Sequence, residues 1–260
     1  MRPLAESSPL PQLLKKTGLW RASQLDCEFR QGTPTGYALL DQHLPGAGWP
    51  TAGVAEILHD QQGIGELRLL TPALAYLSQQ QRRWQLWVSP PYLPYAPALE
   101  QAGINPAAVL VVRPTTVNDS LWAMEQALAS QSCSAVLAWP GNIQEKQVRR
   151  LQLASKAGHC LGVLFRPAAA AQQASPAELR LQLRGLRAMP LRESSALEVR
   201  VLKRRGGWSS SPFVVEFHDR LNQVTPDFAD MPARNPARPL PELAFVEPHR
   251  YSPAHDHQQQ

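Results

Sequence analysis

Residues 60–67, Asp60-Gln61-Gln62-Gly63-Ile64-Gly65-Glu66-Leu67, hold the one spacing in the chain that could serve phosphate chemistry. They follow an apolar run and lead into a helical pattern that starts at Leu67. Backbone N–H groups of such a turn face an anion at a helix N-terminus. A phosphate-binding loop needs Gly, four residues, then Gly-Lys-Ser/Thr. Counting back from Gly65 puts Asp60, Gly65, Glu66 and Leu67 at those places. Glu66 stands where a lysine would pair with phosphate oxygens, and Leu67 where a hydroxyl would hold magnesium. A carboxylate facing a triphosphate repels it by roughly 1 kcal/mol or more at 4 Å even in high dielectric. An ATPase also needs later acids, one to support magnesium and one to activate water. At the strand ends where these belong, the chain has Ser89-Pro90-Pro91 and Trp139-Pro140. The expectation is a nucleotide-binding scaffold without catalytic residues: no enzyme, no cofactor, and Gly63 and Gly65 serving the turn rather than a nucleotide.

Other chemistries are poorly provided for. The seven histidines are scattered, and His255-Asp256-His257 reads as a solvated tail rather than a metal set. Cys27, Cys133 and Cys160 have no ligand spacing and no basic neighbour that would mark a nucleophile, so reduced, buried thiols are expected. Contact residues are the better candidates. Arg82-Arg83, Arg149-Arg150 and Lys203-Arg204-Arg205 are basic clusters, and the last leads into Gly206-Gly207, a tight turn able to meet phosphates or to guard a hairpin edge. Tyr92 and Tyr95 lie among prolines in residues 90–97, either folded onto the end of a sheet or forming a docking edge. Trp49 and Trp139 are expected to fill the core.

The elements that would position these residues alternate. Strands are expected at 53–58, 84–88, 109–112, 135–139 and 160–165. Helical stripes fall between them: Leu70, Ala73, Leu74 and Leu77; Leu121, Met124 and Leu128; Val148, Leu151 and Ala154. Asn142 with Glu145 resembles a helix cap. Alternation of this kind predicts an α/β fold with a mostly parallel sheet and helices on both faces. An Ala-rich stretch at 167–176 reads as a mobile loop. Three period-2 segments follow, around Leu179–Leu183, Leu197–Val201 and Phe213–Phe217, and predict a C-terminal antiparallel extension with one wet face. The domain reading is an N-terminal arm at 1–33, a core at 34–219, and a Pro-rich, disordered tail at 220–260 in which 240–246 could bind a partner.

Composition sets outer bounds. Hydrophobic content of 43 % in 260 residues supports a real core, and a net charge of +5 allows a nucleic-acid partner without requiring one. Residues 1–16 have no signal-peptide pattern, and no stretch nears 18 apolar residues. A cytoplasmic protein with no membrane contact is expected.

Several uncommon words are familiar together. Gly48-Trp49-Pro50, Glu56-Ile57-Leu58, Gly63-Ile64-Gly65-Glu66-Leu67, residues 90–95, Ala138-Trp139-Pro140 and residues 201–207 resemble the ImuA family of bacterial RecA-like proteins, over roughly residues 10–218. Arg83-Trp84-Gln85-Leu86-Trp87 is similar to the SulA cell-division inhibitors, over roughly 66–167. The ImuA resemblance implies a RecA-like fold and a non-catalytic accessory role in DNA-damage-induced translesion synthesis. Its partners would be an ImuB-like inactive Y-family polymerase and an error-prone C-family polymerase, with RecA and DNA as further contacts. The SulA resemblance implies the alternative, an inhibitor that binds the division protein FtsZ.

Overall fold

A computed structural model of the chain describes residues 31–186, 196–207 and 209–217. Most of the expected N-terminal arm, the tail from residue 220 with its 240–246 patch, and Cys27 lie outside the described residues. Thr33, placed at the end of the arm, is tied to the core: its N–H donates to Trp49 O at 2.8 Å and Trp49 N–H returns a bond at 2.7 Å.

The continuous apolar run after this turn forms β1 (Gly53–Leu58), with all six residues buried. It is followed by β2 (Trp84–Val88), β3 (Val109–Val112), β4 (Cys133–Ala138) and β5 (Leu161–Arg166). β1, β4 and β5 are buried along their whole length, as suits the centre of a parallel sheet covered on both faces. Among the described residues five helices supply the cover: α1 (Ala38–His43), α2 (Glu66–Gln80), α3 (Ala96–Gln101), α4 (Val117–Ala129) and α5 (Glu145–Gly158). Then come β6 (Leu179–Gly185), β7 (Ala196–Lys203) and β8 (Phe213–Glu216). The result is a mixed α/β protein with an eight-stranded sheet in the order β3-β2-β4-β5-β1-β6-β7-β8. Period-2 alternation splits β1 between two cores: Ala55 and Ile57 pack with α2, Val54 with α4 and α5.

Three local expectations change. The first period-2 segment is β6, and it runs parallel to β1, so the antiparallel portion starts only at β7. Its arginines are not on a wet face throughout, because Arg180 is buried. The cap of α5 is Gln144, whose N–H donates to Gln147 Oε1 at 2.7 Å, because Ile143 is drawn into the core and the helix begins after it. The Ala-rich stretch forms a 3-10 turn, Ala168–Gln172, held at several points. Ala168 N–H donates to Asp60 Oδ1 at 3.0 Å, and the Arg180 guanidinium donates to Ala170 O and Gln173 O at 2.7 and 3.0 Å.

The anchor for that stretch is ionic. Glu56, in the middle of β1, is fully buried, and so are Arg166 on β5 and Arg180 on β6. Glu56 Oε1 accepts from Arg166 Nη1 at 2.5 Å, and Oε2 accepts from Arg180 Nε at 2.6 Å. Because β1 lies between β5 and β6, one carboxylate reaches a guanidinium on each side. Both arginines then reach beyond the sheet, Arg166 to Ile143 O and Gln173 Oε1, so the pair fixes the loop that covers this face. Removing the shared carboxylate strands two buried cations. Glu56→Ala should therefore lose about 3–5 kcal/mol in urea unfolding, and a loss under about 1 kcal/mol would show that the network does not hold the sheet.

Candidate functional site: a self-closed phosphate-type loop

The turn from β1 into α2 keeps the backbone of an anion site. Gly63 and Gly65 have φ of +75° and +108°, the left-handed region that glycine enters without strain. Their N–H groups point at one anion, and that anion is the chain's own. Gly63 N–H donates to Glu66 Oε1 at 2.9 Å, and Gly65 N–H donates to Glu66 Oε2 at 3.1 Å. The carboxylate thus folds back into the cradle rather than facing a ligand, and the repulsion expected from sequence becomes an internal bond. As the first residue of α2, Glu66 also suits the positive end of the helix dipole. Leu67 packs on the core, and Asp60 caps the 3-10 turn as described above.

Aromatic and aliphatic side chains close the loop from outside. A Cβ on Gly65 would lie 2.5 Å from Phe217 Cε2, and one on Gly185 would lie 2.9 Å from Ile64 Cγ2. Phe217 is buried; Arg68 sits 5.0 Å over its ring, and Tyr37 meets it edge-on at 5.7 Å. Tyr37 Oη donates to Arg68 O at 3.0 Å, which joins the plug to α2. Along the same carboxyl edge, where an ATPase keeps its acids, runs a series of rings. Trp139 stacks on Phe165 at 4.4 Å, with Trp87 at 6.2 Å on one side and His59 edge-on to Phe165 at 6.1 Å on the other. Nδ1–H of His59 donates to Gln61 O at 2.8 Å, while His59 Nε2 and both indole N–H groups have no hydrogen-bond partner among the described residues. Apolar contact, not polar chemistry, fills this edge.

The basic candidates are dispersed and largely engaged. Arg83 donates to His159 O and Gly158 O at 2.9 and 2.7 Å, clamping the carbonyl end of α5. Arg82 beside it is half-buried and also has a partner. Lys203 Nζ donates to Ser175 O at 2.6 Å, and Arg204 Nη1 donates to His43 O at 2.7 Å; Lys203 and Arg205 are exposed, and Arg204 is half-buried. Burial and the nearby Arg180 guanidinium lower the Lys203 pKa. Five strand spacings, roughly 24 Å, separate β2 from β7, so the two clusters do not form one surface. Tyr92 and Tyr95, by contrast, stand off the sheet, 72 % and 71 % exposed. Among the described residues no group of three or more His, Cys, Asp and Glu could hold a metal, and no helix is long and apolar enough to cross a membrane.

Sequence reasoning missed Glu56, Arg166 and Arg180, and it missed Phe217 as the plug. The first had a signal: a lone carboxylate inside a six-residue apolar strand must find buried cations. Phe217 had none, since it reaches Gly65 only through the sheet order.

The geometry defines a class, a mixed α/β protein whose phosphate-type loop is closed by its own side chains. The family model described as "Cell division inhibitor SulA" matches residues 53–162, from β1 into β5. The chain is 35 % identical over 101 residues to the cell division inhibitor SulA of Edwardsiella piscicida, covering 39 % of this chain and 60 % of that protein. It is 31 % identical over 114 residues to the SulA of Yersinia enterocolitica and 32 % to that of Yersinia pestis, covering 44 % of this chain and 67 % of each relative. The crystal structure of SulA from Pseudomonas aeruginosa matches 44 % of this chain and 97 % of that one, at 24 % identity and a TM-score of 0.37. The chain belongs to the SulA family. This corrects the ImuA-derived expectation of a translesion-synthesis accessory with ImuB-like and C-family polymerases, RecA and DNA as partners. The words behind it have structural uses here: Trp49 is a fully buried core residue, and Lys203 and Arg204 are bonded to backbone carbonyls.

Two measurements test the closed loop. Glu66→Ala removes the acceptor of two amides and should cost about 2 kcal/mol, with Glu66→Gln costing less because one oxygen acceptor remains; urea midpoints of the two variants decide it. Burial pushes the Tyr37 hydroxyl up to about 12 from 10, the adjacent Arg68 opposing. A raised folded-state value means the stabilisation is complete below pH 10 and is lost as pH rises towards 12. Midpoints measured at pH 9 and pH 11 should fall, and Tyr37→Phe should flatten that fall.

Proposed function

We propose that this chain is a cell-division inhibitor of the SulA kind that works in the cytoplasm by contact, without catalysis, on the division protein FtsZ. One observation carries this: the stretch similar to proteins named cell division inhibitors runs from β1 into β5 and contains the loop with Glu66 folded into its cradle. A cradle whose donors are taken by Glu66 and whose mouth is covered by Phe217 has no room for a triphosphate, which supports a protein that binds macromolecules rather than turning over nucleotides. We further read the fold as RecA-like, on the placement of β1 between β5 and β6 with the phosphate-type loop at its carboxyl end.

The test uses the full chain. Expressed in a rod-shaped bacterium, it should cause filamentation, and the purified protein should reduce the amount of FtsZ that sediments as polymer with GTP. ATP hydrolysis by the same preparation should stay at background. Normal cell length together with unchanged FtsZ sedimentation at molar excess would refute the division reading. ATP turnover would refute the non-catalytic one.

A further inference from the structure

We infer that the outer face of α5, with Trp122 of α4 beside it, is a docking surface for an acidic amphipathic helix of a partner protein. This face lies across the sheet from α2 and its closed loop, and it stands apart from the division reading. α5 buries Val148, Leu151, Ala154 and Ser155 and turns its opposite side to solvent. At helical spacing that exposed side presents Lys146, Arg149, Arg150, Leu153, Lys156 and Ala157. Residues 146–159 hold four cations and no carboxylate. A merely solvated helix face alternates its signs; this one does not.

The four cations are of two kinds. Arg150 donates to Glu125 of α4 from Nη2 at 2.5 Å and from Nε at 3.4 Å, and Arg149 Nη2 donates to Glu145 Oε1 at 3.1 Å. Both guanidinium groups are therefore held in position while staying more than half exposed. Lys146 and Lys156 take part in no ion pair among the described residues. They lie about 15 Å apart along the helix axis. Between them Leu153 is 63 % exposed, and Trp122 on the neighbouring helix is 38 % exposed. α4 and α5 each return between parallel strands, so they run the same way, and the Glu125–Arg150 contact puts Trp122 towards the Lys146 end.

Charge and apolar surface together select the occupant. A nucleic-acid backbone is anionic along its whole length, so it would meet Glu125 and Glu145 as well as the cations, and it gives Leu153 nothing to pack on. A helix carries its charges at separate positions. Laid along α5, an acidic amphipathic helix sets carboxylates against the two unpaired lysines and its apolar stripe against Leu153 and Trp122, the helix-in-groove mode of recognition. The residue types fit as well, since tryptophan and arginine concentrate binding energy in protein interfaces.

Fluorescence anisotropy with the purified full chain tests this. The probe is a fluorescein-labelled synthetic helix of about 18 residues, roughly 27 Å long, with leucine along one face and glutamate on both flanks. Its binding should saturate and should weaken as salt rises. The pair Lys146→Glu and Lys156→Glu should weaken it roughly tenfold or more, and so should Leu153→Asp. These positions are exposed, so the circular dichroism spectrum and urea midpoint should stay unchanged. A probe with lysine in place of each glutamate should bind the double lysine variant and not the native chain. Absence of binding overturns the inference, and so does binding that survives Leu153→Asp or a charge exchange that restores nothing. Equal binding of a scrambled probe, a DNA duplex or phosphatidylglycerol vesicles overturns it too, because the face would then read negative charge alone.

Discussion

A carboxylate in the middle of a fully buried strand has to be neutralised by neighbours, and in this protein that need orders the sheet. Glu56 sits between a guanidinium from β5 and one from β6, with contacts of 2.5 and 2.6 Å. Desolvating three ions is expensive, and such groups are tolerated when every bond is directional and filled. Here the remaining donors of Arg166 and Arg180 go largely to carbonyls of Ile143, Ala170 and Gln173, so the ions fasten the loop after β5 over the carboxyl end of β1, beside the start of α5. An apolar triad of the same size would pack as well but would leave the register of β6 against β1 and the course of that loop less defined.

The same economy operates at the end of β1. A turn built to hold a phosphate has amides that need an acceptor whether or not a ligand arrives. Glu66 supplies it from the next helix, and Phe217 supplies the lid from just beyond β8. Each of these contacts also stabilises the fold, so the turn serves as a structural joint.

Much of this architecture is visible in the sequence. The strands at 53–58, 84–88 and 109–112 coincide with β1, β2 and β3, because unbroken apolar runs bounded by Gly, Pro and polar residues have few other uses. The missing lysine and hydroxyl at Glu66 and Leu67 were also readable. What Glu66 does instead was not, since a side chain turning back to its own loop depends on local geometry. Arg180 deceived the period-2 reading: its place in Leu-Arg-Leu-Gln-Leu assigns it to water, yet a carboxylate on the adjacent strand draws it inward. The basic words misled for a related reason, since Arg83 and Lys203 look alike in sequence but cap a helix and tie down a loop. Short words shared among relatives also could not distinguish one family from another, and the match over 53–162 did.

Phe217 lies 152 positions after Gly65 in the chain and yet touches it, so the loop is completed only when β8 joins the far side of the sheet. During synthesis the cradle emerges long before its lid, with Glu66 alone to fill it. The order of emergence from the ribosome thus gives the nascent chain a half-finished pocket that the mature protein never displays.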